Sequence, residues 1–347
     1  MSTDAANPPP KANVSIESVL DVQQHTFLQR LFGAQAFWVT VALVLICIVM
    51  SVLQPASFAS AENFFNITRN FSFIGILALG MTVVIATGGI DLSVGSIMGL
   101  TAVASGLTLE AGYPAWIAIL VGLAAGGITG FINGAIIAYA GISPFVTTLG
   151  MLSIARSVAV VLSGNRMIYK FGSGGETFKT LGSGSLNLTP TFQLSYPLLF
   201  LIVLTVILAV VYKMTAWGRH VLAIGGNEQA ALLTGVPVNR IKVQAYVVSG
   251  LAASFAAILS VGWTGSAINA LGVTYELLAI SAAVIGGANL IGGEASAYGA
   301  FIGAALIFVI RNSLLMAGVD SNWQGTFVGV FLIAAVYLGK IRGSKRD

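Results

Sequence analysis

The sequence predicts an all-α polytopic membrane protein with about ten transmembrane helices and both termini in the cytoplasm. Composition is the first reason. Of 347 residues, 56% are hydrophobic and only 8% are charged, and the mean hydropathy is +0.92. A soluble domain carries about 25% charged residues, and a chain this long needs that charge to coat its surface. The second reason is pattern. The apolar runs lack the every-second-residue alternation of barrel strands, while 41 glycines suit closely packed helices. The third is the placement of basic residues. Lys11 and Arg30, then Lys213, Arg219, Arg240 and Lys242, then Lys340, Arg342, Lys345 and Arg346 all fall on one side of a ten-span count. By the positive-inside rule that side is the cytoplasm.

Taken in order, residues 1–34 form a polar tail with Pro8-Pro9-Pro10 and a short helix over 15–31, without the apolar core of a secretory signal. A single transmembrane domain covers 35–340. Its spans are expected at 36–53, 71–86, 92–109, 115–140, 145–162, 196–211, 243–261, 271–288, 295–317 and 326–338. Pro55 and a polar stretch through Asn63 and Asn66 close the first span. Residues 163–195, rich in Gly, Ser and Thr, form an outer (periplasmic) loop despite Arg166, Lys170 and Lys179. Residues 213–242 form a cytoplasmic loop, and 341–347 a basic tail. The lone Cys47 lies in the first span and excludes an intrachain disulfide. A net charge of +4 gives no reason to expect nucleic acid as a partner.

Three features carry function. The turn T-G-G-I-D-L-S-V-G-S, residues 87–96, places Gly88, Gly89, Asp91 and Ser93 between two spans. Asp91 suits a cytoplasm-side helix cap, since its carboxylate can accept backbone N–H groups where the helix dipole favours negative charge. Ion or proton coupling, and a subunit-contact or gating role, remain open for it. The spacing of Gly88, Gly89, Gly95 and Gly99 recurs at Gly292, Gly293, Gly299 and Gly303, and the span count makes the two segments parallel.

The second feature is the cytoplasmic loop. Gly225, Gly226, Asn227, Glu228, Gln229, Ala230, Ala231 and Gly235 outline a short helix with small residues on one face, bracketed by glycines. That shape suits docking into a groove on a partner, and Ala231→Arg is expected to disrupt it. The third feature is the set of polar groups inside spans. Asn133, Thr147, Thr148, Trp263 and Asn289 are the candidate lining of a translocation path, because amides and hydroxyls hydrogen-bond a neutral polyol and an indole stacks on a sugar face. Arg156, Glu276, Arg311 and Asn312 either face the bundle interior or snorkel from span ends. No catalytic motif, phosphate-binding loop or metal-ligand spacing occurs.

The turn at 87–96, the loop I-G-G-N-E-Q-A-A-L-L-T-G-V and the run A-V-I-G-G-A-N-L-I-G-G-E-A-S-A-Y-G together resemble the membrane permeases of bacterial ABC importers for monosaccharides such as ribose, xylose and arabinose. The resemblance covers residues 36–339. It implies a ten-helix permease of the inner membrane, embedded in the lipid bilayer as a homodimer. It also implies a cytoplasmic ATP-binding-cassette ATPase and a periplasmic sugar-binding protein as partners, with the outer loop helping to seat the latter. Residues 229–235 resemble the E-A-A-x-x-x-G coupling helix, with Gln229 in place of the glutamate and Glu228 beside it. ATP and Mg then belong to the partner, and this chain binds no cofactor. Alternatives are a permease for branched-chain amino acids or nucleosides, an ion-coupled secondary transporter, which needs no docking helix, and a non-transporting structural or receptor subunit.

Overall fold

The computed structural model describes residues 32–330 except 191, 324 and 328. The elements in chain order are α1 (Gln35–Leu53), α2 (Ala61–Ala86), α3 (Val94–Glu110), α4 (Ala115–Tyr139), α5 (Pro144–Ser163) and α6 (Gly175–Ser183). Then come β1 (Ser185–Asn187), β2 (Gln193–Ser195), α7 (Tyr196–Met214), α8 (Ala216–Gly226), α9 (Glu228–Leu233), α10 (Val238–Thr264), α11 (Tyr275–Ile285) and α12 (Ala297–Met316). Seven of these helices are long and apolar enough to cross a membrane. The spans expected at 92–109 and 271–288 are the shorter helices α3 and α11. The expected tail helix at 15–31, most of the span at 326–338 and the tail at 341–347 lie outside the described residues.

Two departures from expectation have physical causes. Helix α2 begins ten residues earlier than hydropathy suggests, because its polar residues from Asn63 to Asn70 are buried or half-buried and bonded rather than exposed. Ser60 caps it by accepting the Asn63 N–H at 3.1 Å. Asn63 and Asn312 exchange amide hydrogen bonds at 3.0 and 3.3 Å. The Arg69 guanidinium lies 4.7 Å over the Trp263 ring. Helix α11 begins later than expected, because 265–274 is irregular backbone, bounded by Gly265 (φ 64°) and Thr274 (φ 70°).

Helices α2 and α10 form the centre. Most of α2 is buried, from Phe71 without a break to Ala86. Helix α4 runs antiparallel to α10 along a glycine seam. A Cβ on Gly126 would strike Ser254 Oγ and the Gly250 carbonyl, one on Gly130 the Tyr246 carbonyl, and one on Gly134 would lie 2.6 Å from Val243 Cα. Such close approach is how helices gain packing energy where lipid removes the hydrophobic drive. Thr101 and Ser254 tie α3 to α10 at 2.9 Å. The outer loop is not featureless. It holds α6 and an antiparallel β1–β2 hairpin, with Phe178 fully buried and Gly182 laid against the backbone of 259–263. Beside it the Glu110 carboxylate pairs with Arg166 at 2.5 Å, and that hydrogen bond raises the guanidinium above its ordinary value.

Candidate functional site: the glycine junction and the docking helix

Helices α2 and α11 both end, and α3 and α12 both begin, at the end of the bundle that carries Arg219, Arg240 and Lys242. We call this the basic end. Here the two similar glycine turns meet. The Gly293 N–H donates to the Ala86 carbonyl at 3.1 Å. Gly225, at the end of α8, fits between them with no room for a side chain, since a Cβ there would strike the Ala86 carbonyl and the Gly293 nitrogen. Gly292 (φ 104°) faces Gly225 Cα and the Gly88 nitrogen in turn. Three glycine positions far apart in sequence therefore make one backbone-on-backbone joint. Gly226, the next residue, has open space around it.

Helix α9 projects from this joint. Asn227 caps it, Oδ1 accepting the Ala230 N–H at 2.9 Å. The Glu228 carboxylate takes Lys242 Nζ at 2.7 Å, and Gly235 (φ 84°) supplies the left-handed turn that ends it. Ala231 is 5% exposed and packs inward with Val221, Ile224, Val238 and Ile241. The outward face is instead Gln229, Ala230, Leu232 and Leu233, with Leu233 84% exposed. A groove of about 670 Å³ opens beside it, lined by Tyr139, Glu228, Gln229, Leu232 and Arg240 among others. Arginine at Ala231 would therefore strike the chain's own interior, and a docking test belongs at Leu233.

The turn before α3 is not at the surface. Asp91 is 0% exposed. Its Oδ1 accepts the Ser93 N–H at 2.9 Å and the Ser93 hydroxyl at 2.6 Å, and its Oδ2 accepts the Ser249 hydroxyl from α10 at 2.8 Å. Asn133 Nδ2 donates to Ser93 Oγ at 2.9 Å. The Ile90 carbonyl accepts the Thr148 hydroxyl at 3.3 Å and the Tyr246 hydroxyl at 3.5 Å. Gly89 leaves room for that tyrosine, whose hydroxyl a Cβ there would meet at 2.5 Å. Ser93, not Asp91, occupies the N-cap position of α3.

Of the residues expected to line a path, Asn133 and Thr148 thus gather around the Asp91 turn. Thr147, buried on the same helix as Thr148, has a hydroxyl with no partner among the described residues. Trp263 lies elsewhere. It stacks on Phe73 with centroids 5.9 Å apart. It stands 20 residues along α10 from Val243, roughly 30 Å at the rise of a helix. Asn289 is exposed in the α11–α12 turn, its Oδ1 accepting the Ile291 N–H. Sequence reasoning did not single out Ser249 or Tyr246, and no local signal marks a mid-helix serine as a carboxylate partner.

Comparison with known proteins places the chain in a family. Residues 63–336 match the family described as branched-chain amino acid transport system / permease component. A probable ABC transporter permease, y4mJ of Sinorhizobium fredii, is 38% identical over 88% of this chain and 89% of its own. The ribose import permease RbsC of Escherichia coli is 36% identical over 85% of this chain and 91% of its own. The autoinducer 2 import system permease LsrD of Salmonella paratyphi B is 35% identical over 78% of this chain and 80% of its own. No solved structure matches the chain. The chain belongs to this ABC permease family. It is a multi-pass protein of the bacterial inner membrane and an importer's permease subunit, not itself an enzyme. Membership implies an ATPase and a binding protein as partners.

Proposed function

We propose that this chain carries a monosaccharide across the membrane as one half of a homodimeric permease. A periplasmic binding protein delivers the sugar, and a separate ATPase powers transport. The carrying observation is its likeness to ribose import permeases over nearly the whole length. The basic end then faces the cytoplasm, as the positive-inside rule requires. Helix α9 presents Leu232 and Leu233 to the ATPase. The glycine joint supplies the link onward. Because Gly225 touches both the Ala86 carbonyl and the 292–293 backbone, a displacement of α8 and α9 bears on α2 and α11 at once. ATP binding would bias the inward-open and outward-open states through that contact.

The test uses the chain co-expressed with the ATPase and binding-protein genes that neighbour its own. Labelled ribose accumulates in such cells, and leucine does not. Uptake of leucine alone would move the chain to the amino-acid branch, and uptake of autoinducer 2 alone to the branch of its LsrD relative. In the same system Leu233→Arg lowers substrate-stimulated ATPase activity roughly tenfold or more, the scale of one interface hot spot. Unchanged stimulation would remove α9 as the docking element.

A further inference from the structure

Among the described residues, Arg156 and Glu276 form an arrangement of opposite charges at membrane depth that the packing leaves partly open. Arg156 stands 12 residues from Pro144 and 7 from Ser163 along α5, about 18 and 10 Å from the two ends of the helix. It does not snorkel. Its Nη1 donates to the carbonyls of Asn269 and, at 3.1 Å, Leu271, and its Nη2 to the Gly95 carbonyl at 3.2 Å. Glu276, second residue of α11, lies over the same stretch of α3. The slots that seat the pair are glycines. A Cβ on Gly95 would strike Glu276 Oε2 and the Gly272 carbonyl. One on Gly99 would lie 2.5 Å from the Asn269 carbonyl and 2.6 Å from Arg156 Nη1.

Three facts favour water or protein over hydrocarbon beside the pair, although Val273 and Leu277 are exposed close by. Arg156 and Glu276 are both only partly buried and do not close into an ion pair; backbone N–H groups of residues 274 and 276 reach the carboxylate, and both charged groups keep exposed surface at a depth where lipid solvates neither. Irregular backbone starts at the outer end, where Ala267 bridges Ile168 and Asn269 bonds Ser163 and Asn165, and continues down beside Arg156 over 270–274, with Ala270, Val273 and Thr274 exposed. Irregular backbone at membrane depth occurs only against protein or water. The Ser153 hydroxyl is exposed one helical turn before Arg156 on α5. Arg156 also uses three of the five N–H donors of a guanidinium, which leaves two to offer.

We propose that Arg156 and Glu276 form a binding station on the translocation path, taking adjacent hydroxyls of a neutral polyol. A hydroxyl both accepts from a guanidinium and donates to a carboxylate, so a vicinal diol bridges the pair. A simple cation or anion meets one like charge. This rests on the sugar-importer reading above, and a zwitterionic amino acid, the other class the pair would suit, is a separate outcome of the test.

The experiment uses the co-expressed importer in a Cys47→Ser background, which removes the single native thiol. Cysteine is placed at Ser153, at Thr274 and, as a lipid-facing control, at the exposed Val206 of α7. A membrane-impermeant, charged thiol reagent is expected to label the first two roughly tenfold faster than the control, with ribose slowing the labelling. Glu276→Gln and Arg156→Lys are expected to lower ribose uptake roughly tenfold or more, the scale of one charge-assisted hydrogen bond. Labelling at the control rate, or full uptake by Glu276→Gln, overturns the station. Protection by leucine and not by ribose overturns the polyol assignment. If the unmutated importer takes up no ribose, the functional reading fails by itself, and the labelling rates still decide whether this face is a path.

Discussion

Two polar regions of this chain sit at membrane depth and are built in opposite ways. Around Asp91 a carboxylate is wholly buried, and both its oxygens are taken by donors of the same chain, Ser93 and Ser249. Around Arg156 and Glu276 the charged groups are half open, face each other without pairing, and lie beside exposed irregular backbone. A carboxylate whose lone pairs are filled from within has nothing to give a passing molecule. A guanidinium with donors to spare, opposite a partly exposed carboxylate, does. On the reading proposed above, membrane depth does not separate structural from functional charge, and the completeness of the local hydrogen bonding does. The sealed region extends to the glycine joint, so it reads as the frame that transmits docking, while the open region reads as the surface that meets cargo.

The sharpest way to break the sealed half is at the joint. Gly225→Val would place side-chain carbons inside the Ala86 carbonyl and the Gly293 nitrogen, where only backbone can move away. The expected outcome is loss of the folded, membrane-inserted protein or of its association with the ATPase. Gly226→Ala, one residue on in open space, should leave both intact. Size-exclusion profiles of the detergent-extracted complex read the difference. Equal behaviour of the two variants would dissolve the joint as a distinct element.

Next in size is Asp91 itself. Asp91→Ala strips the acceptor from three donors, the Ser93 N–H and the hydroxyls of Ser93 and Ser249. Buried donors left unpaired cost about 1–3 kcal/mol each before the hydroxyls turn to other acceptors, so a loss of about 3 kcal/mol in thermal stability is expected. Asp91→Asn keeps one acceptor oxygen for Ser93 and gives an amide that Ser249 Oγ can accept. Its cost should stay near 1 kcal/mol, with most ribose uptake retained. If Asp91→Asn folds normally but abolishes uptake, the sealed region carries function and the contrast collapses.

These predictions also mark what the sequence could and could not disclose. The helical membrane class and the short helix at 228–233 were legible because they are local. Apolar runs declare themselves by length, and Asn227 with Gly235 brackets a helix by capping chemistry. The first ten residues of α2 were not legible, because Asn63 and Asn66 read as a polar break until Asn312, far along the chain, is seen to pair with Asn63, and Arg69, which donates to Asn66, to lie over Trp263. The shortening of α11 was hidden for the same reason, since the carbonyls of 269–271 are held by Arg156, more than 110 residues away. Periodicity suggested small residues on a face of α9, but which face turned outward was decided by Val221 and Ile241 packing on Ala231. The recurring glycine spacing was visible, and that the two turns touch, with Gly225 between them, was not.

The smallest expected effect tests the edge of the sealed region. Asn133 is fully buried and donates Nδ2 to Ser93 Oγ, yet its Oδ1 meets no donor among the described residues. It is the one member of the network that brings an unmet need along with its bond. Asn133→Ala removes one hydrogen bond and one unsatisfied acceptor together, and those terms oppose each other. The expected cost is about 1 kcal/mol, clearly below that of Asp91→Ala, with ribose uptake close to that of the unmutated chain. Parallel thermal unfolding of the two variants measures the gap. A loss as large as for Asp91→Ala would mean that Oδ1 is engaged and that the sealed network continues past Asn133. A loss of uptake with stability preserved would move Asn133 out of the frame and onto the path.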